Sequence, residues 1–204
     1  MKIVVIGAGT TGIVIADIIM ESHNFKLAGF VGTPKEEVKF RRSSEDLQAP
    51  FLGDHSILKD LRKGDIIGFV VAIGDNATRE KVYYEAITAG LIPITIVSNS
   101  AIINPSVVLG KGVVVGPGVI LSHKVTVGDN VIIEAGVIVE VKSVIGDHCY
   151  LYPGSVICRG CTVDRNVALG VRAVIEPGCK IGKNNKVPAG KVVNKDIEGR
   201  FKKG

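Results

Sequence analysis

Residues 103–192 repeat with a period of six, and no other feature restricts the fold of this chain as tightly. Counted from Ile103 to Val187, the first position of all fifteen hexads is Val, Ile or Leu, without insertion or slip. The fifth positions are small (Val, Cys, Ser or Ala) until Asn185 and Lys191 at the end of the array. The fourth positions are Gly seven times and Asn three times, at Asn130, Asn166 and Asn184. Gly and Asn are the residues that accept positive φ at a corner. Each hexad therefore reads as one short strand and one tight turn, with a large and a small residue pointing inward. Hexad repeats of this kind predict a parallel β-helix. Three hexads close one triangular coil, and residues eighteen apart stack about 4.8 Å apart. Burying one Val, Ile or Leu is worth about 1.5–3 kcal/mol, so a column of them can hold a loop-rich rod together.

Sixth positions point outward, and Val108, Val114, Ile120, Ile132 and Ile138 make several of them apolar. That is more apolar surface than a rod leaves in water, and it predicts a homotrimer.

Residues 1–98 follow a different rhythm and are read as a separate domain, with 99–204 as the second. Lys2–Ile6 reads as a strand that ends in Gly7-Ala8-Gly9-Thr10-Thr11-Gly12 and opens a helix from Ile13 to about Glu21. Leu27–Val31 is a second strand, and the polar stretch Pro34–Pro50, with Lys35, Glu36, Glu37, Arg41, Arg42, Ser43 and Ser44, reads as a loop. A short helix at Ser56–Arg62 and a strand at Ile66–Ile73 follow. Asn76 is read as the cap of a helix over Ala77–Ala89 that stops at Gly90, and Leu91–Val97 is a last strand. Alternating strands and helices predict a small parallel α/β sheet. The GxGxxG lies between a strand and a helix, where backbone amides can hold a phosphate or pyrophosphate. The acid that grips a ribose after the second strand of a dinucleotide fold is missing, because Gly32 and Thr33 follow Val31. The loop thus reads as a site for a nucleotide-diphosphate ligand rather than NAD, or as a structural turn.

A net charge of +5, with no basic run interleaved with aromatics, argues against a nucleic-acid partner. No stretch approaches the ~20 apolar residues of a membrane span, so membrane insertion is not expected. Gly7, Gly9, Gly12 and Asp17 interrupt any signal-peptide core, and the expected location is cytoplasmic. Cys158-Arg159-Gly160-Cys161 has CxxC spacing, but the register separates its ends. Cys149, Cys161 and Cys179 hold inward fifth positions and Cys158 an outward second position, so they are read as reduced, mainly core residues. No metal site is expected, because only His123 and His148 lie in the array, at different corner positions. His23 and His55 lie outside the array and receive no role.

The glycine loop, the stretch Ala72-Ile73-Gly74-Asp75-Asn76 with Arg79, and the hexad array that follows resemble the NeuD/PglD-type sugar acyltransferases. These comprise the sialic-acid O-acetyltransferase family and the bacterial UDP-amino-sugar N-acetyltransferases. The resemblance spans nearly the whole chain. It implies a Rossmann-like α/β N-terminal domain that binds a nucleotide sugar and a C-terminal left-handed parallel β-helix. It also implies a homotrimer with active sites between neighbouring coils, and acetyl-CoA lying along the groove between them. Gly7, Gly9, Gly12, Gly74 and Asn76 match the family's nucleotide-side positions. The implied function is acyl transfer from acetyl-CoA to a nucleotide-linked sugar, with UDP-amino sugars the expected class and the choice between O- and N-acylation open.

The chain departs from the family where the chemistry is done. The family carries Val-Glu-His and an acidic residue shortly before Ile-Gly-Asp. Here the stretch is Val139-Glu140-Val141-Lys142, then Ser143-Val144-Ile145-Gly146-Asp147. Val141 replaces the general-base histidine and Lys142 its acidic neighbour. Arg159 stands where the family commonly has a Gly whose amide meets the thioester carbonyl. Val97-Ser98-Asn99 lacks another family histidine, and the tail Arg200–Gly204 lacks Gly-Asn-Pro-Ala.

The register supplies substitutes. Pro105, His123, Val141, Arg159 and Pro177 share the third position at eighteen-residue spacing and should form one corner column. His123 is a candidate base one rung from the family position, or simply an exposed corner residue; its neighbour Lys124 cannot orient it. Glu140 is a second candidate base. His148 sits at a corner that accepts αL residues and reads as structural. Arg159, Gly160, Gly170, Lys183 and Lys186, with Arg165, Arg172 and Lys191, are candidates for the CoA side, or are solvent-facing. A non-catalytic trimer binding a nucleotide sugar or a partner is the alternative to the enzyme.

Overall fold

A computed structural model describes residues 1–22, 24–43 and 49–200, with side chains at all of these except 38, 39 and 41–43. His23, Ser44 and the tail residues 201–204 lie outside the described residues. The chain forms two compact units that meet in sequence at Ile96 and Val97.

The first unit is an α/β sheet of five parallel strands. In chain order these are β1 (Lys2–Ile6), β2 (Lys26–Val31), β3 (Phe51–Gly53), β4 (Ile66–Val71) and β5 (Ile92–Pro93), arranged β3-β2-β1-β4-β5. Three helices connect them: α1 (Thr10–Glu21), α2 (Pro34–Ser43) and α3 (Asn76–Thr88). Beyond the exposed Lys2 and Lys26 that open β1 and β2, the central strands are apolar, as a parallel sheet covered on both faces requires. Ile3, Val4, Val5, Ile6, Phe30, Val31, Phe69 and Val70 are fully buried.

Several expectations for this unit are corrected. The first part of the polar stretch after β2, Pro34–Ser43, is a helix and not a loop; residues 44–48 of that stretch lie outside the described residues. Thr33 and Glu36 form a reciprocal capping box at its start, and Pro34 occupies the first helical position, where its missing N–H costs nothing. Strand β3 is additional, and two 3-10 turns, His55–Lys59 and Leu61–Gly64, replace the expected short helix. The cap of α3 is Asp75, whose carboxylate accepts the Thr78 amide at 2.9 Å; Asn76 is the first helical residue. The expected last strand is broken into Ile92–Pro93 and Ile96–Val97.

The second unit is a left-handed parallel β-helix. Two-residue strands repeat every six residues and stack into three parallel sheets. Each strand pairs with the one eighteen residues away, as Ile120 does with Ile102 and Ile138. First and fifth positions fill the interior: Val115, Val119, Val125, Ile133, Val137, Leu151 and Val163 are completely buried. Every fourth position from Gly112 to Gly190 has φ between +53° and +75°, including the non-glycine residues Lys124, Lys142, His148 and Arg172. Cys149, Cys161 and Cys179 are buried free thiols, and Cys158 is half-buried at the edge of the core.

The sixth positions divide by sheet. In one sheet Ile102, Ile120, Ile138, Val156, Val174 and Val192 form an unbroken outward ladder of β-branched residues, half-buried in the middle and exposed at both ends. In the sheet holding Val114 and Ile132 the outward positions Val114, Ile132 and Tyr150 are already buried, so the first two are not part of an exposed apolar face. Val108 is exposed.

Candidate functional site

In the first unit, β1 runs into the glycine loop and then α1. The five glycine-side candidates separate by what surrounds them. Gly7 has φ +113°, and a Cβ there would stand 2.7 Å from the Ala72 carbonyl oxygen. A Cβ on Gly12 would overlap the Gly7 carbonyl. These two glycines let β1, α1 and the end of β4 pack closely. A Cβ on Gly9 or Gly74 would meet nothing within 4 Å, so both border open space. No side chain caps α1 at Gly9. The positive end of a twelve-residue helix therefore faces that space, an arrangement that suits an anion. Asn76 is buried, and its side-chain oxygen accepts the Arg79 Nη2 donor at 2.8 Å. Arg79 is fully buried and also donates to the Ile73 carbonyl at 3.0 Å, fixing the turn that carries Gly74. Asn76 thus holds the loop through Arg79, a residue the sequence marked only as part of a motif.

A cleft of about 610 Å³ lies elsewhere on this unit, lined by His55, Lys59, Lys81, Tyr84 and Thr88. These residues belong to a 3-10 turn and the later turns of α3, not to the glycine loop.

In the second unit the corner column forms as the register requires. The Lys142 amide donates to the His123 carbonyl at 2.9 Å, Gly160 to Val141 at 2.9 Å and Gly178 to Arg159 at 3.0 Å. His123 is exposed. Its orientation comes from the preceding coil, which sequence neighbours did not reveal. Ser106 Oγ lies 2.9 Å from His123 Nδ1, accepts the Lys124 amide at 2.8 Å and donates to Asn104 Oδ1 at 2.8 Å. With its own proton given to Asn104, Ser106 Oγ is left as an acceptor. The tautomer that completes this network carries the proton on Nδ1 and leaves the lone pair of Nε2 facing outward.

Glu140, half-buried on the neighbouring column, accepts the Arg159 amide on Oε2 at 2.9 Å. That is the amide expected at the thioester carbonyl, and in this structure it is already engaged. Cys158 lies between Glu140 and Glu176 in the same column; burial pushes its thiol up, and the two carboxylates push it further.

The CoA-side candidates do not gather on one edge of a single chain. Arg159 and Gly160 are exposed on the corner that carries His123. Lys183 lies on the next corner, after the strand Lys180–Ile181, and Lys186 opens the following strand, Lys186–Val187. Gly170 is a packing residue, since a Cβ there would stand 2.5 Å from the Ala189 amide. A cleft of about 470 Å³ includes Lys180 and Lys183 but also Asp164, Asp196 and Glu198. His148 is buried, with Nδ1 2.9 Å from Asn130 Nδ2, a corner residue within a stack of fourth-position side chains. Among the described residues no three His, Cys, Asp or Glu side chains converge as a metal site would need.

The whole chain is similar to a solved structure of PerB from Caulobacter crescentus in complex with CoA and GDP-perosamine. The TM-score is 0.88 and the identity 31%, over 98% of this chain and 92% of that one. The chain belongs to the PglD/NeuD-like family of sugar acyltransferases. Residues 2–86 match the PglD N-terminal domain, and residues 106–140 match the bacterial transferase hexapeptide (six repeats). A histidine-to-alanine variant of the GDP-perosamine N-acetyltransferase from the same organism, also in complex with CoA and GDP-perosamine, is similar at 30% identity and TM-score 0.87. It covers 98% of this chain and 91% of that one. The acetyltransferase domain of PglB from Neisseria gonorrhoeae, in complex with acetyl coenzyme A, has the same fold at 22% identity. Its TM-score is 0.82, over 97% of this chain and 92% of that one. No curated protein sequence matches the chain. Val141 stands where the sequence resemblance places the base, and His123 lies one rung earlier on the same corner.

Proposed function

We propose that this protein transfers an acetyl group from acetyl-CoA to an amino group on a nucleotide-linked sugar. The observation that carries the reading is end-to-end similarity, at 31% identity, to a protein solved with CoA and GDP-perosamine. In this reading residues 1–98 bind the nucleotide sugar, with Gly9 and Gly74 bordering the ligand, Gly7 and Gly12 setting the loop, and Asn76 holding it. Residues 99–204 carry the chemistry. His123 is the base: Nε2 takes the proton from the amine as nitrogen bonds to the thioester carbon, and returns it to the departing thiolate as the carbon–sulfur bond breaks. A positioned base contributes typically ~10²–10⁴-fold. Arg159 supplies positive charge for the oxyanion, with its amide released when Glu140 turns away. Glu140 is the alternative base. Arg159, Gly160, Lys183 and Lys186 face CoA only where two coils meet, because one chain presents them on different corners. That need, and the ladder from Ile102 to Val192, support a homotrimer. No described helix is long and apolar enough to cross a membrane, and we place the protein in the cytoplasm.

The class of nucleotide follows from the acceptor test. Release of CoA thiol is measured with acetyl-CoA and a panel of UDP- and GDP-linked amino sugars, with the matching hydroxy sugars as controls. Turnover of an amino sugar with uridine or guanosine diphosphate supports the reading. Turnover of only hydroxy sugars makes it an O-acyltransferase. Val141 favours a second reading, a trimer that binds the nucleotide sugar without transferring anything. Binding of a sugar nucleotide with no thiol release from any acceptor selects it.

A further inference from the structure

Strand β2 ends without the acid that normally meets a ribose, yet a carboxylate stands close by. Val31 pairs with Ile6 at the end of β1, so the next residue, Gly32, opens beside the glycine loop. A Cβ built on Gly32 would lie 3.5 Å from both the amide nitrogen and the Cβ of Ala8, and 3.0 Å from Glu36 Oε2. Glu36 therefore brings its carboxylate, from the first turn of α2, to the space that a strand-end side chain would enter. The absence of a side chain at Gly32 is what leaves room for it.

Local chemistry fixes the carboxylate there. Glu36 Oε2 accepts the Thr33 amide at 2.7 Å and the Thr33 hydroxyl at 2.9 Å, and the Glu36 amide points back to Thr33 Oγ1 at 3.3 Å. Oε2 is thus engaged by its own helix. Oε1 makes no hydrogen bond among the described residues. One oxygen anchors the side chain and the other remains as an acceptor beside a loop with open space over Gly9. A carboxylate is an acceptor only, so the group it suits is a hydroxyl rather than a phosphate.

We infer that Glu36 is a specificity-determining residue of the nucleotide site and that its Oε1 accepts a ribose hydroxyl of the bound nucleoside diphosphate. This rests on the nucleotide-sugar reading of the first unit. The acid has moved from the end of the strand to the third residue of the following helix. Its task is the one a strand-end acid performs in dinucleotide folds. A ligand carrying a 2′-phosphate is excluded, because it would set like charges together.

Calorimetry with the full chain tests this, using UDP, GDP and their 2′-deoxy and 3′-deoxy analogues. Wild type should bind the ribonucleotide that it prefers about tenfold or more tighter than at least one deoxy analogue. Glu36→Gln keeps an oxygen for the Thr33 cap and loses the charge. It should weaken the ribonucleotide by a similar factor and bind that deoxy analogue as wild type does. Equal affinity of wild type for ribo and both deoxy forms overturns the inference while leaving the nucleotide site intact, and that arm needs no variant. An equal loss for both forms in Glu36→Gln also overturns it. If wild type binds neither UDP nor GDP, the nucleotide-sugar reading itself fails.

Discussion

Removing the Ser106 hydroxyl should slow acyl transfer by a small and calculable factor. Ser106 Oγ accepts the Lys124 amide, donates to Asn104 and meets His123 Nδ1 at 2.9 Å. Ser106→Ala deletes the contact that selects the Nδ1–H tautomer and leaves the histidine in place. A neutral hydrogen bond contributes about 0.5–1.5 kcal/mol, so kcat should fall roughly 2- to 12-fold. His123→Ala removes the base and should cost ~10²-fold or more. The double variant should be no slower than His123→Ala alone, because Ser106 acts only through the imidazole. The assay is initial-rate thiol release at saturating acetyl-CoA, across a pH series. The reasoning is refuted if His123→Ala retains the wild-type rate, or if the two losses simply add. A loss in Glu140→Gln alone would move the base to Glu140.

Other expectations concern assembly, packing and thiol chemistry. Ile138→Lys places a charge in the middle of the outward ladder and should convert a trimeric mass in sedimentation to a monomeric one, whereas Val108→Lys, outside the ladder, should not. Gly12→Ala forces a Cβ against the Gly7 carbonyl and should lower the melting temperature sharply; Gly9→Ala, with open space and φ −86°, should leave it unchanged while weakening nucleotide binding in calorimetry. Burial holds the Cys158 and Cys161 thiols above their usual range, and the Glu140 and Glu176 carboxylates add to this at Cys158. Alkylation of the folded protein at pH 8 should therefore be slow and accelerate as the pH rises. The urea-unfolded chain should react at the rate of an ordinary thiol, and rapid labelling of the folded chain at pH 8 would contradict this.

The β-helix was legible because one period governs every level of it. The same six-residue count sets which side chain is buried, where φ turns positive and which strands pair. What it could not show was which residues tolerate the corner. Lys124, Lys142 and Arg172 take φ of +53° to +59°. This conformation costs an L-residue ~1–2 kcal/mol. Pairing with the coils before and after fixes the backbone there, so the side chain accepts the strain. Periodicity also marked Val114 and Ile132 as outward without showing that they are covered. In the first unit, polar composition hid α2. The signal was local, a Thr-Pro-x-Glu start, and carried more information than the charge of the segment. The site was least legible, because its contacts run between coils. The imidazole partner of His123 is Ser106, seventeen residues earlier, and the amide beside Glu140 belongs to Arg159, nineteen later.

The same stacking bears on what a displaced base requires of the substrate. Third positions on one corner have equivalent backbone, so His123 occupies the environment of Val141 shifted by one rung, about 4.8 Å. Misplacing a reacting group by as little as 1 Å can cost ~10²-fold, so the chemistry does not absorb such a shift. Either the acceptor amine has moved with the base, or His123 takes no proton from it. An active enzyme with His123 as its base must therefore hold its acceptor amine one rung nearer the start of the coil than a relative with histidine at the family position. A sugar whose amine lies at a different carbon, or on a longer arm, meets that condition. A comparison of positional isomers of the amino sugar reads the shift directly. If the best isomer is the one that the perosamine enzyme uses, and His123→Ala does not slow it, the base has been lost rather than moved.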